Sequence, residues 1–475
     1  MRHDLLIGGE AVPPGGGKYS TDLDPATEEP IALVAEGTVE DVERAVQAAR
    51  AALKPWNAMR AAERGRILMR FSDLLREHQD EIAALECRDA GKPIAGVLRQ
   101  DVPSAIDTLA YYAGWCDKIN GQVVPARPDA LTYTLREPVG VVAAIVPWNF
   151  PLMIGMWKIA PALACGCTLI VKPAEITPLS ALRLGRLALE AGVPPGVLNI
   201  VTGKGSVIGD ALVKHPGIDK VTFTGSPSVG RGILQGAASN FKRVTLELGG
   251  KSANVIFADA NLDNAVRAAA SGVFFNAGQV CSAGSRILVQ RAVYDEVVER
   301  LATRAQSIRL GDPAQRDTQM GPVISEKQMR SILDYVDIGK QEGASLVTGG
   351  KRTGARGYFI EPTVFANVAH EMRISQEEIF GPVASVIPFD DEADAVRIAN
   401  GTLYSLAAGV WSADIGRVHR VAAGLKAGTV WINTYGYTDV RLPWGGSGDS
   451  GFGREHGDVA IHNFTEPKTV WLALT

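Results

Sequence analysis

Three side chains far apart in the 475-residue chain have types that could divide one piece of nucleophilic chemistry among them. Cys281 lies in FFNAGQVCSAGSR (Phe274–Arg286), flanked by Val280 and Ser282, with Gly278, Ala283 and Gly284 close by. A structural cysteine usually sits among large apolar neighbours. Small flanking residues instead let another molecule approach the chain and leave backbone N–H groups free to bind it. Glu247 sits in TLELGGKS, ahead of Gly249-Gly250. A carboxylate between apolar neighbours is an expensive placement unless it has a task, the other reading being a salt-bridged glutamate at a strand end. Asn149 stands between Trp148 and Phe150 in VPWNFP. Its amide could donate to a developing oxyanion, or simply form a turn before Pro151. A thiolate, a carboxylate and an amide donor are components of covalent catalysis. No histidine lies near Cys281 in sequence, so a Cys-His hydrolase is not indicated.

A second set of residues has the character of a nucleotide site. In VKPAE, Lys172 and Glu175 follow a strand-like run. A lysine and a carboxylate there can hydrogen-bond two ribose hydroxyls, and the carboxylate would repel a 2′-phosphate; an exposed loop ion pair is the alternative. GKGSVIG (Gly203–Gly209, with Gly205 its second glycine) is one residue off the usual dinucleotide fingerprint and, taken alone, reads better as a turn and helix start. FTGSPSVG places Gly225, Ser226 and Gly230 between a strand and a helix, where N–H groups and the helix dipole can hold phosphate. Neither loop matches the GK[ST] phosphate loop, which disfavours ATP.

The elements that must position these residues follow from pattern. Thr38-Val-Glu-Asp41 reads as an N-cap ahead of a helix. Further helices are predicted over about 62–90, ending at Gly91, and over 101–119. Continuous β-branched runs then begin: Val139–Pro147, Cys167–Pro173, Val197–Gly203 and Lys220–Gly225, separated by helical stretches such as Pro178–Gly192. Apolar strands alternating with helices predict a parallel sheet covered on both faces, which binds ligands at the carboxyl ends of its strands. Trp148-Asn149, Lys172 with Glu175, and Thr224-Gly225-Ser226 all lie at such ends. A second alternation follows, with strand-like RILVQ, ASLVTG, ASVIPF, AAGVW and GTVWIN. Residues 121–138 fit neither half and read as an extended excursion.

The length predicts two or three domains. With 46% hydrophobic residues, 21% charged residues and a net charge of −4, the chain reads as soluble and globular, with no basic excess for nucleic acid. The longest apolar run, near Val139–Val146, is too short to span a bilayer, and MRHDLLIGGE reads against a signal peptide. Five cysteines, an odd and sparse set, predict a reducing, cytoplasmic setting. Cys165-Gly-Cys167 lacks partners for a tetrahedral metal site and reads as packing, so no metal is expected.

In order along the chain, PWNFPL, KPAEITPL, PPGVLNIVTG, FTGS, LELGGKS, GQVCSAGSR, GYFIEPTVF, EEIFGPV and GTVWIN closely resemble the aldehyde dehydrogenase superfamily, in its NAD(P)-dependent, non-acylating branch. The resemblance covers nearly the whole chain. It implies that Cys281 attacks an aldehyde to give a thiohemiacetal, with the oxyanion held by Asn149 and the Cys281 N–H. Hydride transfer to the nicotinamide then leaves a thioester, which water activated by Glu247 hydrolyses. It implies adenosine-ribose contacts at Lys172 and Glu175, favouring NAD over NADP, with Gly205 and Gly225 in the cofactor loops. A pyrophosphate contact falls at Ser226 near Trp148, and nicotinamide-side contacts at Glu378 and Phe380. The implied architecture is a Rossmann-like cofactor domain (1–120 and 139–249), a second α/β catalytic domain (250–450) and a small β unit for oligomerisation (121–138 and 451–475), joining a homodimer or homotetramer.

The resemblance places Phe150, Trp157, Phe275, Val280, Ser282 and Tyr437 in the substrate pocket, suiting aliphatic or aromatic aldehydes. Asp107 is similar to an acidic residue that aminoaldehyde dehydrogenases set near the pocket mouth, so an aminoaldehyde or betaine aldehyde is an alternative substrate; an Asp on a helix is otherwise simply solvated. One departure stands out: WGGSGDSG has Ser447 and Gly448 where the family often has an aromatic and a lysine, which bears on loop packing and the pocket mouth. A CoA-acylating semialdehyde dehydrogenase is the rival enzyme, disfavoured by Glu247. A non-catalytic protein that kept the fold is disfavoured by Cys281, Glu247 and Asn149 together.

Overall fold

A computed structural model describes residues 1–474. The predicted N-cap forms a full capping box. The Thr38 hydroxyl accepts from the Asp41 N–H, and the Asp41 carboxylate accepts from the Thr38 N–H, opening the helix Val39–Ala58. The helix expected over 62–90 is two, Ala61–Glu77 and Gln79–Ala90, broken at His78, whose ψ of 16° leaves the helical region. It stops, as predicted, at Gly91, with φ +69°. The helix expected over 101–119 is Val102–Ala113, entered through a wide π turn at Val97–Asp101.

The first sheet runs, edge to edge, Gly451–Phe452, Arg243–Glu247, Lys220–Thr224, Val141–Ile145, Thr168–Lys172, Leu198–Ile200, Leu5–Ile7 and Glu10–Val12. Its five central strands are parallel, and Lys220–Thr224 and Thr168–Lys172 are buried throughout. The strand order reverses between Val141–Ile145 and Lys220–Thr224. Crossovers leave these neighbours toward opposite sides there, and the crevice at their carboxyl ends is where an open α/β sheet takes a ligand. Asn149 follows one of these strands and Gly225 the other. Between Val141–Ile145 and its parallel neighbour runs the helix Pro151–Ala164, buried along its entire length. Apolar except at Lys158, it has no solvent face, and Pro151 at its first turn needs no N–H partner.

The second sheet runs Ser345–Thr348, Thr363–Ala366, Val383–Phe389, Arg286–Gln290, Ala253–Ile256, Ala407–Trp411 and Thr429–Ile432, parallel except at its first strand. All five strand-like runs expected in this half are present. A separate antiparallel ribbon pairs Ala130–Pro138 with Thr465–Ala473. The rest of the C-terminal segment stays with the first sheet: Gly451–Phe452 pairs with Arg243–Glu247, and Val459–Phe464 packs into the first core.

Candidate active site

The loop that presents Cys281 is strained and heavily tied down. After the helix Leu262–Phe274, Asn276, Ala277 and Gly278 all have left-handed backbone, with φ of +49°, +53° and +74°. Non-glycine residues hold such angles only where their surroundings enforce them. Here the Asn276 amide donates to the carbonyls of Asn149 and Gln279, at 3.2 and 3.3 Å. The Gln279 side chain donates to the Asn276 carbonyl and accepts from the Ile324 N–H at 2.8 Å. At Gly278 a Cβ would lie 2.0 Å from the Gly381 carbonyl oxygen, so only glycine fits. The same network aims Asn149: its Nδ2 donates to the Gln279 carbonyl at 2.9 Å, while Lys92 holds its backbone carbonyl at 3.2 Å. That leaves one N–H of the Asn149 amide uncommitted, with the amide tied to Gln279, two residues before Cys281.

Cys281 is half-buried. Its thiol pKa is pushed well above the ordinary value, first by burial, then by the carboxylates of Glu247 and Glu378. Glu247 ends its strand with 3% of its surface exposed. Its Oε1 accepts from the Trp444 indole N–H at 3.2 Å, while Oε2 is buried without a partner. Burial raises this carboxyl to about 7, Lys158 opposing and Glu455 reinforcing. Lys158, on the buried helix, pairs with Glu455 at 2.5 Å. The WGGSGDSG loop closes despite its departure from pattern. The Ser405 and Ser447 hydroxyls meet at 2.9 Å, and the Ser450 hydroxyl donates to the Gly249 carbonyl at 2.8 Å, beside Glu247.

Two cavities reach Cys281. One, of about 450 Å³, is lined by Phe150, Trp157, Phe275, Val280, Ser282 and Tyr437, the positions expected to form a substrate pocket, and also by Arg99, Tyr435 and Trp444. The other, of about 250 Å³, is lined by Trp148, Asn149, Thr224, Gly225, Ser226, Glu378 and Phe380. Cys281 is the only residue common to the two linings. In the second cavity the rings of Trp148 and Phe380 meet edge to face at 5.2 Å. Glu378 accepts from the Gly250 N–H at 2.9 Å, and burial raises its carboxyl to about 7. A Cβ on Gly249 would lie 2.2 Å from the second Glu378 oxygen. The Thr224 hydroxyl is buried without a partner, and Ser226 caps the helix Pro227–Ala237 through the Val229 N–H.

Lys172, Glu175 and Gly205 gather with one another, outside that cavity's lining. Exposed Glu175 accepts from the Gly205 N–H. Lys172 is buried and donates to the Pro173 carbonyl; burial lowers it to about 8, Glu175 opposing. Asp107 does not join either set. It sits exposed on Val102–Ala113 and lines neither cavity. Sequence reading missed Gln279, Trp444, Lys158 with Glu455, and Arg99. Gln279 had a signal, as the polar residue of the GQVC stretch; the others meet the site from distant segments.

The aldehyde dehydrogenase family model matches residues 13–470. An aldehyde dehydrogenase of Emericella nidulans is 49% identical over 98% of this chain and 94% of its own length. The NAD+ complex of an aldehyde dehydrogenase from Bacillus cereus superposes with a TM-score of 0.99 at 47% identity, covering 100% of this chain and 97% of that one. A betaine aldehyde dehydrogenase from Staphylococcus aureus, in complex with NAD+, superposes with a TM-score of 0.98 at 42% identity, covering 100% and 95%.

Proposed function

The chain belongs to the aldehyde dehydrogenase family, and we propose that it oxidises an aldehyde to the carboxylic acid with NAD, through a thiohemiacetal and then a thioester on Cys281. The observation that carries this reading is the position of Cys281 as the sole residue shared by an aromatic-lined cavity and a glycine-lined one.

The residues of the smaller cavity fit NAD. Gly249 leaves room beside Glu378, the Thr224 hydroxyl in the wall has no partner within the protein, and the N-terminus of Pro227–Ala237 offers N–H groups to a pyrophosphate. Lys172 and Glu175 would hold the adenosine ribose, and the exposed Glu175 carboxylate would repel the 2′-phosphate of NADP. When bound, NAD supplies the hydride acceptor. The chain's own groups do the rest. Cys281 adds to the carbonyl carbon as thiolate. The free Asn149 N–H and the Cys281 backbone N–H stabilise the oxyanion. After oxidation, Glu247 takes a proton from water that attacks the thioester, expelling the Cys281 thiolate and releasing the acid. A carboxyl near 7 with one unpartnered oxygen is suited to that proton transfer. It also favours hydrolysis over acyl transfer to CoA.

The substrate cavity carries no carboxylate, and its only charged side chain is Arg99. With Asp107 outside the lining, this favours a neutral or anionic aldehyde over an aminoaldehyde or betaine aldehyde, although a neighbour at 42% identity is a betaine aldehyde dehydrogenase. The ribbon of Ala130–Pro138 and Thr465–Ala473 leaves Leu131, Leu135, Trp471 and Leu472 exposed. A two-stranded ribbon is marginal alone in water, which supports a bridging unit between copies, in a homodimer or homotetramer, with the domain division set out from the sequence. Among the described residues no helix is long and apolar enough to cross a membrane; five free cysteines support a cytoplasmic setting.

The test is NADH formation with acetaldehyde, hexanal, benzaldehyde, 4-aminobutanal and betaine aldehyde, each with NAD and NADP. The reading expects turnover of the neutral aldehydes with NAD, and fails if no aldehyde yields NADH.

A further inference from the structure

Beside the substrate cavity lies a cleft of about 370 Å³ that the chemistry above does not use. Five arginines line it: Arg99, Arg267, Arg304, Arg309 and Arg316. All five are exposed. The one carboxylate in the wall, Asp317, stands 3.8 Å from Arg309. Lys92, also in the wall, is taken by buried Asp101. Among the described residues, Arg99, Arg304 and Arg316 pair with no carboxylate. Like charges gathered on a concave surface repel one another and focus a positive field into the cleft. Arg309 braces its own loop, donating to the Asp317 carbonyl at 3.0 and 2.9 Å, and Arg267 donates to the Asn264 side chain; among the described residues the Arg99, Arg304 and Arg316 guanidiniums have no such task, and that planar fork is matched to carboxylate and phosphate oxygens.

The cleft adjoins the site. It shares Arg99, Ser271 and Phe275 with the substrate cavity. Arg99 is the one cation in both linings, so a ligand with its reactive end at Cys281 and a remote end reaching Arg99 would stand at the border of the arginine cleft. We infer that the substrate is an aldehyde whose far end carries an oxyanion, a carboxylate or a phosphate, and that this end docks in the arginine cleft. The inference rests on the proposed aldehyde oxidation and adds the substrate class to it.

The experiment compares kcat/KM for 6-oxohexanoate and 8-oxooctanoate with hexanal and octanal, and for 4-formylphenyl phosphate with benzaldehyde. At least one anionic aldehyde is expected to exceed its neutral counterpart about tenfold, by a margin that shrinks as salt is added. The two arms tell a carboxylate from a phosphate. In R99Q and in R304Q/R316Q the anionic-to-neutral ratio is expected to fall about tenfold; a ratio is insensitive to loss of folded enzyme. Adipate, which has no aldehyde, is expected to compete with hexanal. Oxidation of the neutral series with no anionic preference overturns this inference and leaves the proposed reaction standing. So does a preference that survives both sets of substitutions, or adipate that binds without competing, which would make the cleft a separate anion site. Oxidation of neither series overturns both readings.

Discussion

The indole N–H of Trp444 reaches Oε1 of Glu247 at 3.2 Å, and no other group hydrogen-bonds that carboxyl. A donor to the ionised form favours it, so the indole holds down a pKa that burial has raised to about 7. The proposed base works deprotonated, so deacylation should rise with pH through about 7 and level off above it. Trp444→Phe removes the donor and should move the acid limb of the kcat profile to higher pH, by roughly one unit. An acid limb that stays in place while kcat falls would show that Trp444 only packs.

Glu247→Gln removes the base while keeping the shape. A rapid burst of NADH, about one per site, should precede a steady rate lower by at least about 10²-fold. Unimpaired steady turnover would remove Glu247 from the role of base.

The same carboxylate opposes ionisation of Cys281, although burial opposes it more. In the free enzyme, alkylation by iodoacetamide should be slow at neutral pH and still climbing at pH of about 9, the range of an unperturbed thiol. Glu247→Gln should speed alkylation at pH of about 8, because a negative charge has gone. Cys281→Ala should lose NADH production entirely, and retained activity would end the nucleophile assignment.

Asn149→Ala should lower kcat by about 10²- to 10³-fold, the usual effect of deleting one oxyanion donor. Protein fluorescence titrated with NAD should show near-normal affinity. Loss of NAD binding together with kcat would mean that the substitution had collapsed the Asn276–Gln279 network instead.

Glu175→Ser should raise the NADP-to-NAD ratio of kcat/KM by at least about tenfold, since the carboxylate near the expected 2′-phosphate position would be gone. An unchanged ratio would confine Glu175 to its contact with the Gly205 N–H.

Much of the framework was legible because it is local. Val141–Ile145, Thr168–Lys172 and Lys220–Thr224 declare themselves as unbroken apolar runs, since strands buried on both faces need no polar alternation. The break at His78 left no trace, because apolar residues continue at helical spacing on both sides of it. Asp107 was unreadable for a different reason. Its neighbours Ile106 and Thr108 are buried, so a small rotation of the helix would have turned it inward. Trp444 and Glu247 are 197 residues apart, and Lys158 and Glu455 are 297 apart. Contacts of that range depend on how the two sheets meet, which no local pattern encodes. Ser447 and Gly448 depart from the family's loop pattern, yet Ser405 and Ser450 close the loop with hydroxyls whose partners lie 42 and 201 residues away, beyond any local pattern.

The two linings that meet at Cys281 and nowhere else set the traffic of the enzyme. A substitution in the aromatic lining therefore leaves the glycine-lined walls unchanged, and the reverse holds as well. Product acid should then compete with aldehyde and not with NAD, so the catalyst can be slowed from either side independently.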